Sequence, residues 1–251
     1  MTVHRSGLLR AAARLRIRWR TLAALATLLA VSCAGGAGKA GTDGERGGAM
    51  RFLALGDSYT IGEGVAEGER WPARLAALLR GRGVEVADPE IVARTGWTTD
   101  ELADAIDRAR PRGPYALVTL LIGVNNQYRG RGVDEYRAQF RDLLERAVAF
   151  AGGEPGRVVV LSIPDWGVTP FAAGRDRAQI AAGIDAFNAA ARKETASRGA
   201  RWVDVTPRSR AAGGDPAYLV ADRLHPSGRA YEEWARLALP AALAALGPPA
   251  R

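Results

Sequence analysis

The chain has 251 residues, 47% of them apolar and 25% charged, which is the composition of a folded globular protein and excludes a disordered one. The formal net charge is +8, but residues 1–49 hold eight basic and two acidic side chains and so contribute +6 of it. Residues 50–251 carry only +2. The basic pI therefore does not indicate a nucleic-acid-binding surface, and no nucleic-acid partner is expected.

Residues 1–33 have the pattern of a signal peptide. Six arginines come first, followed by an apolar run from Thr21 to Ser32 and then by Cys33. The apolar run is far shorter than the roughly 18 residues that a membrane-spanning helix needs, so it does not predict a permanent span. We expect the protein to be exported and extracytoplasmic.

Cys33 and Met50 leave alternatives open for this leader. The Ala-Val-Ser-Cys sequence that ends at Cys33 resembles the cleavage box of bacterial lipoproteins, which predicts membrane anchoring through a lipidated Cys33. Alternatively, Cys33 is incidental in an ordinary signal peptide, or translation starts at Met50 and the protein is cytoplasmic. No cysteine follows Cys33, so residues 50–251 cannot form an internal disulfide, and cysteine usage does not identify their redox compartment.

Residues 34–49 hold seven glycines among small and polar residues, with too little apolar surface to fold. We predict that this segment is a flexible linker and that residues 50–251 form the globular domain. The sequence shows no internal repeat and no sign of a second domain, and a monomer is expected.

From residue 51 onwards, short apolar runs alternate with longer segments of helical periodicity. The runs predict five strands, near residues 51–56, 90–94, 115–122, 157–162 and 201–205. The periodic segments predict helices near residues 71–81, 98–109, 133–151, 176–198 and 228–246. This alternation predicts a single three-layer α/β/α domain with a flavodoxin-like, five-stranded parallel sheet in the order 2-1-3-4-5.

The residues that directly follow the predicted strands are the candidates for a functional site, because the crevice of an open parallel sheet lies beyond the carboxyl ends of its strands. Ser58 follows the first strand, Gly96 the second and Asn125 the third. Asp222 and His225 precede the last helix. We expect these four segments to meet at one edge of the sheet.

Each candidate also has a purely structural interpretation. For most of them, when the residue is taken alone, this interpretation is at least as good as a catalytic one. Ser58 can cap a helix, Gly96 can permit a turn ahead of a helix, Asn125 can form a turn, and Asp222 can cap a loop. His225 is harder to explain in this way. The only other histidine lies in the predicted leader, so the domain contains a single imidazole, the ordinary base near neutral pH.

The order Ser58, Gly96, Asn125, Asp222, His225 resembles the SGNH hydrolase subgroup of the GDSL esterase/lipase superfamily. The resemblance extends over essentially residues 51–240. Each block alone is a weak motif. The four blocks in order, each after the expected strand or before the last helix, are together a strong signal.

Two blocks depart from the family pattern. The nucleophile block is Gly-Asp-Ser up to Ser58, with Tyr59 in place of the usual leucine, a change commonly tolerated in the family. The third block is Gly-Val-Asn up to Asn125, followed by Asn126 where the family usually has aspartate. This second change puts only the support of the loop in doubt.

The resemblance implies a serine esterase with an acyl-enzyme intermediate, and the chemistry of the side chains agrees. Ser58 would be the nucleophile and His225 its base, since a serine hydroxyl is a poor nucleophile until its proton is accepted. Asp222 would orient the imidazole and stabilise its charged form. The backbone N–H groups of Ser58 and Gly96, with the amide of Asn125, would donate to the oxyanion.

Three other functions compete with this one. A metallohydrolase is less well supported, because one histidine and no cysteine in residues 50–251 leave few ligands for a transition metal. A flavodoxin-like binding protein would share the fold but has no need of Asp222 and His225. A non-catalytic surface binding module of the same family stays an alternative. We expect no cofactor and no metal.

The substrate is less well defined than the reaction. Residues 128–132 and 163–171 are expected to flank the crevice with aromatic and cationic side chains, or else to serve only in loop packing. No long apolar insertion indicates a lipid-burying lid. We favour a small acyl-ester substrate, such as an acetyl group on a carbohydrate, with lysophospholipase or thioesterase activity as alternatives.

Overall fold

The computed structural model describes residues 48–247, which contain a five-stranded parallel sheet between two layers of helices. The predictions made for the signal peptide, for Cys33 and for most of the linker concern residues outside this range. The strands are β1 (Phe52–Gly56), β2 (Glu90–Ala93), β3 (Leu117–Leu121), β4 (Val158–Leu161) and β5 (Arg201–Val203).

Eight α-helices are present between residues 48 and 247. In chain order they are α1 (Ser58–Ile61), α2 (Trp71–Arg80), α3 (Thr99–Ala109), α4 (Val124–Tyr128), α5 (Val133–Phe150), α6 (Arg177–Ser197), α7 (Thr206–Ala212) and α8 (Gly228–Leu246). None of the helices in this part of the chain has an apolar stretch long enough to cross a membrane.

The strand order is β2-β1-β3-β4-β5 with every pair parallel, which confirms the predicted fold. In β1, Leu53 pairs with Glu90 of β2 on one side and with Val118 of β3 on the other. Strands β1, β3 and β4 are buried along their whole length, as expected of apolar runs in a sheet that is covered on both faces. Because all five strands run the same way, their carboxyl ends lie along one edge of the sheet.

The helices form two layers. Helix α2 packs on α8, which also contacts β3, β4 and β5. In the other layer, α5 packs between α3 and α6. The apolar face predicted for α6 is buried, with Ile184 fully enclosed and Phe187 stacked on Tyr136 of α5 at a centroid distance of 4.5 Å. The interpretation of that face as core packing is confirmed.

The sequence did not predict α4 and α7, which are both short. Helix α7 begins at Thr206, and Pro207 lies in its first turn, where the missing N–H of proline costs nothing. Helix α4 begins after Gly123, whose φ of 126° is open to glycine and strained for other residues. Helices of one or two turns show too few periods to be recognised by apolar spacing, yet α1 and α4 carry two of the candidate residues.

Candidate active site

The turn between β1 and α1 presents Ser58 at the sheet edge. A side chain at Gly56 would collide with the Leu121 carbonyl oxygen of β3 and with Thr60, so only glycine allows the strand to end this close to its neighbour. The helix cap is Asp57, whose carboxylate accepts a hydrogen bond from Tyr59 N at 3.0 Å. Ser58 is the first helical residue, so the interpretation of Ser58 as the cap is wrong. Its hydroxyl does not cap the helix.

Asp57 is a fully buried carboxyl with few partners. Its Oδ1 accepts the hydrogen bond from Tyr59, but its Oδ2 has no hydrogen-bond partner. Burial raises the pKa of Asp57 to about 7, and the hydrogen bond from Tyr59 offsets only part of this effect. Near neutral pH a large fraction of Asp57 is therefore uncharged, directly beside Ser58.

His225 and Asp222 form a hydrogen-bonded pair within one short loop. The Nδ1 atom of His225 lies 2.6 Å from Asp222 Oδ2. The other carboxylate oxygen, Oδ1, accepts from Leu224 N at 2.8 Å and from His225 N at 2.9 Å, so Asp222 also caps the loop as its structural interpretation proposed. Two backbone hydrogen bonds, from Val220 N to His225 O and from Ser227 N to Tyr218 O, close the base of the loop at 2.9 Å each.

The charge of Asp222 is favoured in the folded protein. Partial burial acts to raise its pKa, but the hydrogen bonds from the His225 ring and from the backbone N–H groups of His225 and Leu224 outweigh burial and hold it below the usual value. An ionised carboxylate on Nδ1 keeps the proton on that nitrogen and leaves Nε2 of His225 as the free acceptor.

Tyr59, which replaces the leucine of the family motif, packs against His225. The two rings meet edge to face with centroids 5.8 Å apart, and Tyr59 also contacts Trp234 of α8 at 5.9 Å. The His225 side chain, which is 11% exposed, is thus held from one side by Asp222 and from another by an aromatic ring.

Gly96 lies in the loop between β2 and α3 with a φ of 88°, a left-handed conformation that favours glycine. Its carbonyl oxygen accepts from the Arg129 guanidinium at 2.7 Å, and Arg129 also reaches Glu101 at 3.3 Å. Its N–H makes no hydrogen bond to another residue within 48–247. The turn interpretation of Gly96 is correct, and it leaves an unused backbone donor at the sheet edge.

Asn125 and Asn126 lie side by side in α4 and do different things. Asn125 Nδ2 donates to the Trp97 carbonyl at 2.9 Å, which fixes the amide and leaves its second N–H unused. Asn126 is fully buried: its Oδ1 accepts from Thr99 N at 3.1 Å and its Nδ2 donates to Thr99 Oγ1 at 2.7 Å. Asn126 therefore ties α4 to the start of α3, and the support of this loop does not require the usual aspartate.

Four of the five candidate residues line one cleft of about 180 Å³: Ser58, Gly96, Asn125 and His225. The fifth, Asp222, contacts the cleft through His225. The Ser58 hydroxyl and the His225 ring make no hydrogen bond with each other in the described structure. Such contacts are often long in enzymes without substrate and shorten when it binds.

A family model for the GDSL-like lipase/acylhydrolase family matches residues 54–233, which include all five candidates. The chain belongs to this family. It is a serine hydrolase that acts on ester bonds. The resemblance to SGNH hydrolases drawn from the sequence is thereby confirmed.

Solved structures similar to this hydrolase have the same fold. A GDSL-like lipase from Parabacteroides merdae, described as putative, superposes with a TM-score of 0.63 at 19% identity, over 78% of this chain and 97% of that one. TesA gives 0.60 at 20% identity, over 76% and 97%. An acetyl-xylooligosaccharide esterase from Geobacillus Stearmophilus, in a mutant form of Axe2, gives 0.59 at 18%, over 80% and 95%. No curated protein sequence matches the chain.

One wall of the hydrolase cleft is aromatic. Tyr128, Trp166 and Phe171 line it, and they come from the two segments that were expected to flank the crevice. Trp166 is buried and its Nε1 donates to Gln127 at 2.8 Å. Leu224 also lines the cleft, beside His225, and had no signal in the sequence apart from its place inside the Asp-x-x-His block.

The arginines of residues 128–132 do not supply the cationic surface that was expected there. Arg129 pairs with Glu101, and Arg131 pairs with Asp100 at 2.7 Å. These charges link α4 and the following turn to α3. No three His, Cys, Asp or Glu side chains of residues 48–247 are clustered so as to hold a metal ion.

Proposed function

We propose that this hydrolase cleaves carboxylic esters through an acyl-enzyme on Ser58. His225 is the general base and Asp222 orients it. The observation that carries the proposal is the 2.6 Å contact between Asp222 and His225 Nδ1, with the ring lining the same cleft as Ser58. A lone imidazole held by a carboxylate and by Tyr59 is poised to accept one proton through Nε2.

In the first half-reaction, His225 Nε2 accepts the hydroxyl proton while Ser58 Oγ bonds to the ester carbonyl carbon. The tetrahedral intermediate carries its negative charge on the former carbonyl oxygen. When it collapses, the C–O bond to the alcohol breaks and His225 gives its proton to the departing oxygen. In the second half-reaction a water, deprotonated by His225, attacks the acyl-enzyme, and Ser58 recovers its proton as the carboxylic acid leaves.

Three donors are proposed for the oxyanion: the N–H groups of Ser58 and Gly96 and the second N–H of the Asn125 amide. The N–H of Ser58 is the first of α1 and has no acceptor within the helix, and the N–H of Gly96 is equally unused. The Asn125 amide is held in place by Trp97 before any substrate arrives. Such fixed donors cost no reorganisation when charge develops, and one of them is typically worth about 3 kcal/mol of barrier.

We propose small acyl esters, with acetyl groups on a carbohydrate as the leading class, and lysophospholipids or acyl thioesters as alternatives. The size of the cleft fits a short acyl group together with part of an alcohol. The described residues contain no long apolar insertion over Ser58 that would shelter a long acyl chain.

The proposal is tested by turnover of p-nitrophenyl acetate by the wild type and by Ser58→Ala. The wild type should release nitrophenol with a burst, and the variant should not. The substrate class is then assigned by comparing acetylated sugars, lysophospholipids and acyl thioesters at equal concentration. Loss of activity on longer p-nitrophenyl esters would support the small-acyl class, whereas a preference for long chains would move the assignment to the lysophospholipase alternative.

We also propose that the protein is exported and lipidated on Cys33. In a bacterial host, the full-length protein should fractionate with membranes, and Cys33→Ala should release it or leave it unprocessed. A protein that stays in the cytoplasm with Met50 as its first residue would instead support the internal translation start.

A further inference from the structure

The aromatic wall of the cleft is a packed cluster that is also open to solvent. The ring of Tyr128 lies 5.3 Å from that of Trp166 and 6.3 Å from that of Phe171, and Trp166 and Phe171 are 6.2 Å apart. Tyr128 is 44% exposed and Phe171 40%, which makes them two of only three large hydrophobic side chains exposed in residues 48–247. Exposed aromatic rings beside a reaction centre are a feature of ligand-binding surfaces.

Arg175 lies against all three rings. Its guanidinium carbon is 5.1 Å from the centroid of Tyr128, 5.4 Å from that of Trp166 and 5.6 Å from that of Phe171. One of its N–H groups donates to the Tyr128 hydroxyl at 3.2 Å. Cation–π attraction to three rings and this hydrogen bond restrict a side chain that would otherwise be free in solvent.

The charge of Arg175 has no partner in the described structure. The residue is exposed, and no carboxylate of residues 48–247 lies within ion-pair distance of it. By contrast, Arg129 and Arg131 pair with acidic side chains, and Arg177 donates to the backbone carbonyls of Val168 and Thr169, both at 3.2 Å.

Arg94 and Arg223 also lack an acidic partner in this part of the chain, but neither guanidinium lies over a ring of the cleft wall. Arg175 is therefore the cation that both lacks an acidic partner in residues 48–247 and lies against the three rings that line the cleft. A guanidinium stacked on aromatic rings keeps N–H groups at its edge, in the geometry that binds a carboxylate or a phosphate through two hydrogen bonds.

We propose that Arg175, held by Tyr128, Trp166 and Phe171, is a subsite for an anionic group, and that the preferred substrate is an ester whose alcohol carries a carboxylate or a phosphate. This inference rests on the proposed function, because it requires ester cleavage at Ser58. Since the acyl group is proposed to be small, the alcohol is the part long enough to extend along the aromatic wall to Arg175.

The test uses two pairs of acetate esters that differ in charge and little in shape. The carboxylate pair is 4-acetoxybenzoate and 4-acetoxybenzamide. The phosphate pair is acetylglycerol phosphate and acetylglycerol. Acid release is followed for the full-length wild type and for Arg175→Gln and Arg175→Lys. For each enzyme, kcat/KM for the anionic ester is divided by that for the neutral ester. Comparing this ratio between the wild type and a variant cancels the intrinsic reactivity of the two esters and any change in the state of the catalytic residues.

The matched control is Arg192→Gln, which removes the same charge from an exposed position on α6 that also has no acidic partner in the described range. Arg192 lies about 22 Å along the helix axis from Arg177, the first residue of α6 and two residues after Arg175, so it is far from the proposed subsite. This control separates a local subsite from the effect of net charge on the encounter with an anionic substrate.

We expect Arg175→Gln to lower the anionic-to-neutral ratio at least tenfold in one or both pairs, mainly through KM, since the anion contacts Arg175 equally in the ground and transition states. Arg175→Lys should keep part of the preference and Arg192→Gln all of it. The ester pair whose anionic-to-neutral ratio falls shows whether the subsite binds a carboxylate or a phosphate. Raising the salt concentration should weaken the preference of the wild type.

An equal ratio in Arg175→Gln and Arg192→Gln would overturn the subsite, whether or not the absolute rates change. If the neutral esters are still cleaved in a Ser58-dependent manner in that case, only the subsite fails. If the wild type and Ser58→Ala are indistinguishable on all four esters, the proposed function fails, and the subsite fails with it.

Discussion

The two sides of the cleft are built differently. On the reaction side, Ser58, Asn125 and His225 lie directly beyond strands or in a closed loop. Buried or partly buried hydrogen bonds to Asp57, Trp97 and Asp222 fix the groups around them. On the opposite side, Tyr128 and Phe171 project from short helical turns and are about two-fifths exposed. Under the proposed function, the contrast is between a rigid scaffold that would perform the chemistry and a surface that would meet the substrate.

This comparison predicts that substitutions on the reaction side change kcat, and that substitutions on the aromatic side change KM. The largest effect is expected from Ser58→Ala and His225→Ala. Each should lower kcat on p-nitrophenyl acetate by about 10³-fold or more, and the double variant should be little worse, because the two residues act in one proton transfer. Near-normal turnover by His225→Ala would show that another group is the base.

The next largest effect is expected at Asn125. Its amide would donate more strongly to the tetrahedral intermediate than to the ester, so Asn125→Ala should lower kcat by about 10²-fold with a much smaller change in KM. The matched control is Asn126→Ala. Because Asn126 is buried and bonded twice to Thr99, its loss should reduce the urea midpoint of unfolding more than that of Asn125→Ala and reduce kcat less. A defect confined to KM at Asn125 would mean that it binds substrate and not the transition state.

The third prediction concerns Asp57 on the reaction side and the pH dependence of the free energy of unfolding. Burial raises its pKa from the ordinary value of 3.8 to about 7 in the folded protein, so between these two values the folded state holds a proton that the unfolded state has lost. Stability should therefore fall as pH rises through this window. Asp57→Asn, which cannot ionise, should lose less stability than the wild type between pH ~5 and pH ~8, as measured by urea unfolding.

The exposed Asp134 of α5 provides the control for that experiment, since Asp134→Asn should keep the pH dependence of the wild type. Parallel pH profiles for the wild type and Asp57→Asn would show that folding does not raise the pKa of Asp57.

The smallest effect is expected on the aromatic side. Phe171→Ala removes part of an exposed wall, so it should raise KM about threefold and change kcat less than twofold. Leu237 of α8 is similarly exposed, at 43%, but does not line the cleft, so Leu237→Ala should change neither constant. If Phe171→Ala lowers kcat by a larger factor than it raises KM, the aromatic wall positions the reacting groups. The distinction between the two sides would then be wrong.

Local patterns in the sequence were enough to predict the strands, the longer helices and the position of the candidate residues at the sheet edge. The apolar run at Phe52–Gly56 predicted a buried strand, and the apolar spacing in α6 predicted its core face. The chain order of Ser58, Gly96, Asn125, Asp222 and His225, each after a strand or before the last helix, indicated the family and the sheet edge. Each strand, helix face and motif is defined by neighbours within a few residues, so apolar periodicity and short sequence patterns predict it directly.

The details around each site residue depended on the tertiary structure. Ser58 could not be distinguished from a helix cap until Asp57 was seen to cap α1. The partner of Asn126 is Thr99, 27 residues away in the chain, and the arginines of residues 128–132 are engaged by acidic side chains of α3. Nothing in the local sequence identified Arg175 as a cation without an acidic partner in the described residues that lies against three rings.

The amino-acid sequence by itself therefore determined the fold, the family and the candidate residues at the carboxyl edge of the sheet, because strand and helix periods and short motifs are local properties of the chain. Only the tertiary structure decided which carboxylate pairs with which arginine, which amide supports the loop and which cation has no acidic partner in the described residues. Those outcomes are set by side chains that are distant in the sequence and compete for the same partners when the layers pack together.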